Sequence, residues 1–256
     1  MILADVSLTP LFSIPDKDGR SRAVLVVGVG GLGAAAALEL ANRGIGRIGL
    51  VDGDRVELSN LHRQLLHGPG DIGRPKAEIA GEALRALHPA LEVEARTERL
   101  DASNVETLID GYDFVIDATD DVSTKFLLND ACVLAGKPFV HAGVVGMNGQ
   151  LMTILPGETA CLRCLFPEMP DEDEVASCEA AGILGPLAAL VGTFEAIEAG
   201  KYLSGDGELA ADRLLTIDAR SLRVREIPLR RSPGCPACGA GAPPLPSTDS
   251  LFKEIP

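Results

Sequence analysis

Two cysteine pairs, Cys161-x-x-Cys164 and Cys235-x-x-Cys238, stand about 70 residues apart. Two such knuckles can present four thiolates to one cation, each sulfur about 2.3 Å from a zinc ion in a closed tetrahedron. A closed site leaves no open position for substrate. These four cysteines are therefore expected to hold a structural Zn2+ that ties the C-terminal region to the middle of the chain. A second group is the glycine run Gly28, Gly30 and Gly33, which fits G-x-G-x-x-G between an apolar run and an Ala/Leu-rich stretch. Glycines there let the backbone approach a phosphate, and a helix N-terminus offers its unpaired N–H groups. Asp52 ends the next apolar run, 19 residues beyond Gly33, where an acid can bind a ribose hydroxyl. This pattern indicates an adenine nucleotide without choosing among NAD, FAD and ATP.

The stretch after Asp52 is more specific. It reads VDGDRVELSNLHRQ and carries Asp54, Ser59, Asn60, Arg63 and Gln64, with Lys76 13 residues past Arg63. A dehydrogenase has no use for such a segment. Arg63 and Lys76 can neutralise a triphosphate and stabilise charge developing at its α-phosphorus. Asp120 follows a buried-type run, DFVID, at the carboxyl end of the sheet, where ligands bind in α/β proteins. Its hard carboxylate suits Mg2+. Cys178 follows an acidic stretch and precedes an Ala/Gly-rich helix start, where a thiol can be activated as a nucleophile. For Cys178 the functional and incidental readings weigh equally. Cys132, within NDACVLAG, reads as a core thiol.

The elements that position these residues follow from periodicity. Apolar runs predict strands at 23–29, 47–52, 91–96 and 113–117. Helices are predicted at about 32–43, 74–87, 102–110 and 122–135. Strand and helix alternate over the first 140 or so residues, so the sheet there should be mainly parallel. Residues 138–146 and 149–155 read as a strand pair turning at Asn148-Gly149. An acidic crossover at 167–177 follows, in which Asp171–Glu174 would form part of a mobile lid. A long helix at about 184–203 and strands near 213–218 and 222–227 complete the pattern. The expected architecture is one α/β, Rossmann-like domain with helices on both faces and an antiparallel C-terminal extension. Its boundaries are an N-terminal segment at 1–22, the domain at 23–242 and a disordered tail at 243–256.

Composition bounds the function. The chain has 256 residues, 46% of them apolar, and a formal net charge of −14. Such an acidic balance argues against a nucleic-acid phosphate backbone as the main partner. No apolar run reaches the ~18 residues that span a bilayer, and the first residues do not read as a signal peptide. A cytoplasmic setting is expected, where thiols stay reduced and favour metal over disulfides.

At GVGGLG (28–33), VDGDRVELSNLHRQ (51–64), GRPKA (73–77), DATDD (117–121), CLRC (161–164), CEAAG (178–182) and GCPAC (234–238) the chain resembles the MoeB/ThiF/HesA family. These are bacterial relatives of ubiquitin-activating enzymes. The resemblance implies ATP-dependent adenylation of the C-terminal glycine of a small ubiquitin-like sulfur-carrier protein ending in Gly-Gly, by a homodimer. It implies that Gly31, Asp52, Asn60, Arg63, Lys76 and Asp120 hold ATP, with Asp120 also on Mg2+, and that the four knuckle cysteines hold Zn2+. Gly28, Gly30, Gly33, Asp54, Ser59, Gln64 and Asp121 complete the expected nucleotide set. Arg63, Lys76, Asp120 and Cys178 form the expected catalytic set. The family's N-terminal R-Y-x-R-Q type segment is not found; Arg20 and Arg22 precede the first strand without matching it. That departure keeps a non-catalytic carrier-binding scaffold as an alternative. An NAD- or FAD-binding oxidoreductase is the other, but it leaves SNLHRQ and GRPKA without a role. A relative that activates a carboxylate on a modified tRNA is disfavoured by the acidic charge and the zinc cysteines.

Overall fold

The computed structural model describes Ile14, residues 21–170 and residues 182–239. Most of the expected N-terminal segment, the acidic run at 171–174, Cys178 and the expected tail at 243–256 lie outside them. Eight strands form one sheet. They are β1 (Ala23–Val27), β2 (Arg47–Val51), β3 (Glu92–Arg96), β4 (Phe114–Asp117), β5 (Phe139–Val145), β6 (Asn148–Ile154), β7 (Arg213–Asp218) and β8 (Arg223–Pro228). Their spatial order is β3-β2-β1-β4-β5-β6-β7-β8. The first five pair in parallel and the last three are added antiparallel. The helices are α1 (Gly31–Asn42), α2 (Lys76–Leu87), α3 (Val105–Ile109), α4 (Val122–Leu134), α5 (Leu162–Leu165) and α6 (Gly185–Ser204).

The pleat divides the core in two. Val24 and Val26 of β1 face one layer, with Ile48, Phe114, Leu40, Leu84 and Val191. Leu25 and Val27 face the other, with Val115, Leu108, Leu128 and three of the knuckle cysteines. Helices α1, α2 and α6 thus cover one face, and α3, α4 and the knuckles cover the other. Cys132 is buried in this second layer, as expected.

Helices α1 and α6 approach closely because small residues meet between them. A Cβ on Gly192 would lie 2.1 Å from the Leu32 carbonyl oxygen, and one on Gly31 3.1 Å from the Ala188 methyl.

The periodicity locates every expected element, with one local correction. The β5–β6 hairpin turns at Gly146-Met147, not at Asn148-Gly149, for Val145 pairs with Asn148 and Val144 with Gly149. Gly146 has φ +59 at the first central position, which suits glycine in a two-residue hairpin turn. Gly149 serves packing instead: a Cβ there would meet Val191 at 2.8 Å.

Adding a methyl at the helix crossing tests its tightness. Gly192→Ala is expected to destabilise the fold by about 1–3 kcal/mol, the usual cost of overpacking. A denaturation midpoint equal to wild type would show that α6 shifts freely.

Candidate active site and cysteine cluster

The strand order reverses direction between β1 and β4, which opens a crevice at their carboxyl ends. The β1–α1 turn forms one wall. Gly28 has φ +85, and a Cβ on it would lie 2.7 Å from the Ala118 carbonyl oxygen; one on Gly33 would lie 1.8 Å from the Gly28 oxygen. No side chain caps α1, whose N-cap is Gly30. Gln64 is buried beside this turn, and its Oε1 has no hydrogen-bond partner among the described residues. A turn with no Cβ and an uncapped helix start fit a nucleotide phosphate, while the orphaned Gln64 oxygen, an acceptor, suits a hydroxyl or N–H of the same ligand.

Asp52 organises the next loop. Its Oδ2 accepts from Val29 N at 2.7 Å and its Oδ1 from Asp54 N at 2.8 Å. Burial raises its carboxyl above the usual range, against the attraction of Lys76. The segment around Asp54 pairs with the GRPK run: Val56 N donates to Arg74 O at 2.9 Å and Lys76 N to Asp54 O at 2.9 Å. This seats Lys76 as the first residue of α2, its stem buried. Lys76 Nζ lies 3.0 Å from Asp54 Oδ2, and Arg99 Nη2 lies 2.9 Å from Asp54 Oδ1. Arg63 follows a tight 3-10 turn at Leu58–Asn60. Its guanidinium donates to Ser59 O at 3.2 Å, and its backbone lies against Gly31 and Gly185 at the starts of α1 and α6. The Asn60 amide donates to Ser59 Oγ at 3.3 Å.

The DATDD run supplies three acids with three fates. Asp117 is buried and saturated by donors. Asp121 caps α4, its Oδ2 accepting from Thr124 N at 2.6 Å and Ser123 Oγ at 2.7 Å. Asp120 is exposed, with no hydrogen bond or ion pair among the described residues. Its carboxylate is the one in this run free to take a ligand.

Sequence reasoning missed four titratable groups here. Arg99 follows β3 and joins Lys76 on Asp54. Lys125 and His141 bond to Asp117, and Glu195 is near enough to feel its charge. Two acids ending apolar runs, Asp52 and Asp117, were the visible signal, but only Asp52 was given a role, although DATDD begins at Asp117. Arg22, in contrast, lies at the amino end of β1, donating to Leu203 O at 3.1 Å, away from the crevice.

On the opposite face the four cysteine sulfurs lie within 4.8 Å of one another. Four of the separations run from 3.4 to 3.9 Å, near the edge of about 3.8 Å for sulfurs 2.3 Å from a central ion. Ser232 N points to Cys164 Sγ at 3.4 Å and Cys238 N to Cys235 Sγ at 3.5 Å. Burial and then the neighbouring sulfurs push the Cys161 thiol far up. A divalent cation removes that conflict. The first knuckle is gripped by α4: Leu162 N donates to Asn129 Oδ1 at 2.9 Å, and Arg163 makes a two-pronged pair with buried Asp130, Nη2 to Oδ2 at 2.7 Å.

Sheet order, crevice and thiol cluster define a Rossmann-like α/β protein with a metal-type staple. The chain belongs to the ThiF family, whose sequence profile matches residues 14–237. The SAMP-activating enzyme E1 of Haloferax volcanii is 44% identical over 229 residues, 89% of this chain and 84% of that protein. The sulfur carrier protein adenylyltransferase of Thermus thermophilus is 45% identical over 225 residues, 86% of this chain and 83% of that one. The adenylyltransferase and sulfurtransferase MOCS3 of Drosophila sechellia is 43% identical, and this chain spans 49% of its length. Among solved structures, E. coli MccB with MccA-N7isoASN shares the fold with a TM-score of 0.77 at 24% identity, over 85% of this chain and 67% of that one.

The buried acid Glu195 gives a pH test. Burial first, then the charge of Asp117, raise its carboxyl well above the ordinary value. The native state keeps a proton that the unfolded chain releases above about pH 4.3. The group's contribution to stability is therefore whole below the unfolded pKa and is lost as pH rises toward the folded one. Glu195→Gln, which cannot ionise, should gain in melting temperature over wild type as pH rises from about 4 to about 8. A difference that stays constant over that window would refute a neutral Glu195.

Proposed function

We propose that the chain is an ATP-dependent adenylyltransferase that activates the C-terminal carboxylate of a small ubiquitin-like sulfur carrier. The names of relatives at 44 and 45% identity, covered over most of their length, support the reaction class. The observation that carries the site is the free, exposed Asp120 at the crevice where the glycine turn, Arg63 and Lys76 are also presented. A dehydrogenase would share the glycine turn but requires neither Arg63 nor Lys76.

In this reading a carboxylate oxygen of the carrier attacks the α-phosphorus of ATP. The bond from that phosphorus to the bridging oxygen breaks, and pyrophosphate leaves. No proton moves, because a carboxylate is already ionised near neutrality. The protein's work is alignment and charge neutralisation. The turn at Gly28–Gly33 and the α1 N-terminus receive phosphate oxygens, Asp52 the ribose, and Asn60, Ser59 and Gln64 line the remainder. Lys76 and Arg63 neutralise charge; a phosphate would compete with Asp54 for Lys76. Asp120 would hold Mg2+, which supplies further charge neutralisation on the phosphates. Asp121 acts by capping the helix behind it. The working unit is a homodimer, and the carrier tail ends in Gly-Gly, since only an extended, small-residue tail reaches an α-phosphate inside the crevice. The four thiols hold Zn2+ as a staple.

Asp120→Ala is expected to lower ATP–pyrophosphate exchange by ~10²-fold or more while the fold and the metal content persist. Near-normal exchange by the folded variant would remove Asp120 from the machinery. Wild-type chain with no exchange against any Gly-Gly carrier would instead favour a carrier-binding scaffold.

Metal analysis should find one Zn2+ per chain, lost in Cys235→Ser or Cys238→Ser with a lower melting temperature, because the site closes a loop of about 70 residues. Zinc-free protein with four titratable thiols would overturn the staple.

A further inference from the structure

The carboxyl end of β4 carries more buried charge than the adenylation step uses. Asp117 has no exposure. Its Oδ1 accepts from Thr119 Oγ1 at 2.6 Å and from Lys125 Nζ at 3.3 Å, and its Oδ2 from His141 Nδ1 at 2.7 Å. Lys125 Nζ also donates to Ala142 O at 2.6 Å. One carboxylate thus joins the end of β4, the first turns of α4 and the middle of β5. Asp120 sits in the short loop between the first two. The Asp121 cap is local to α4 and moves with it. Lys125 supplies what the cap does not: a bond from the helix back across the loop to the strand end.

Charge closes the account. Burial alone would raise the Asp117 carboxyl; Lys125 and His141 outweigh it and hold Asp117 ionised. Burial lowers His141, so the imidazole is neutral and donates through Nδ1. From α6, Glu195 meets the same cluster, its oxygens without hydrogen-bond partners among the described residues and its proton retained. One negative and one positive charge remain, paired with each other.

We propose that Lys125 and His141 are positioning residues: through Asp117 they fix the loop that presents Asp120, and so set the affinity of the site for its magnesium ion. This rests on the adenylation reading. Supporting groups behind a metal-binding carboxylate typically contribute 10–100-fold in affinity, about the effect expected here. Geometry and electrostatics make opposite forecasts. Removing the Lys125 charge leaves an uncompensated negative charge near Asp120, which by Coulomb attraction would tighten Mg2+. A loosened loop weakens it.

The experiment has two readouts on the full chain. ATP–pyrophosphate exchange is measured against Mg2+ concentration for wild type, Lys125→Met, Lys125→Arg, His141→Leu and His141→Asn. Backbone hydrogen–deuterium exchange over residues 118–124 is measured on the free proteins. His141→Leu changes no charge when the imidazole is neutral, so it isolates geometry. His141→Asn keeps a donor near the Nδ1 position and Lys125→Arg keeps the cation, so each should rescue. Lys125→Met and His141→Leu should raise the half-saturating Mg2+ about tenfold, with unchanged KM for the carrier and faster amide exchange confined to 118–124. If Lys125→Met fails to fold, His141→Leu and its Asn rescue carry the same comparison. Unchanged or tighter Mg2+ dependence in folded variants, or amide exchange that speeds up throughout the chain, overturns the positioning role. A wild type inactive in pyrophosphate exchange sinks the adenylation reading instead, while amide exchange still reports on the loop.

Discussion

The contact that the site depends on is one of backbone against backbone. The β1–α1 turn lies so near the β4–α4 loop that a single methyl on Gly28 would strike the Ala118 carbonyl, and one on Gly33 would strike Gly28 itself. Nothing but hydrogen fits there. This approach brings an uncapped helix start next to the loop bearing Asp120. It also explains why the crevice is lined by main-chain groups on one side and long cationic side chains on the other. Substituents that fill the turn would separate the two loops before touching any ligand.

The rest of the scaffold holds those two loops in place. Glycine and alanine between α1 and α6 let α6 lie directly against α1, and Gly185 at the start of α6 meets the backbone of Arg63. Helix α4 does the corresponding work on the other face. Its N-terminus follows Asp120, and its C-terminal half, through Asn129 and Asp130, holds the first cysteine knuckle. The thiol cluster and the proposed magnesium carboxylate therefore sit toward opposite ends of one helix. The buried Asp130–Arg163 pair costs desolvation, which its bidentate geometry and the Asn129 bond offset. Its value is in fixing where the knuckle attaches.

How much of this was legible in the sequence depended on the range of the interaction. Elements were legible because period-2 and period-3.6 patterns are local, and the correction at the hairpin arose because Asn-Gly is a turn signal only when register permits. Asn148 and Gly149 fall into paired strand positions because β6 must pack Gly149 against Val191, a long-range demand that outweighs dipeptide preference. The cysteine pairs and the glycine turn were legible because their chemistry fixes their spacing. Lys125, His141 and Glu195 were not, because each reaches Asp117 from a different element and only strand order brings them together. Arg99 escaped notice for the same reason, joining Asp54 from beyond the next strand, β3, 45 residues along the chain.

Charge distribution gives the arrangement its logic. The chain carries a formal charge of −14, yet the acids at the crevice are mostly occupied. Asp52 accepts two backbone bonds, Asp54 holds Lys76 and Arg99, Asp117 holds Lys125, and Asp121 caps a helix. An acid bound to donors cannot also bind a metal without releasing them, and an unneutralised acid would repel a triphosphate. Occupying these acids answers both constraints: it leaves the Asp120 carboxylate for a cation and keeps Arg63 for phosphate, with Lys76 joining once it releases Asp54. Lys76 is the more constrained of the two. Its buried stem and its position at the first residue of α2 fix its origin, so its ammonium can exchange Asp54 for phosphate oxygen with little reordering.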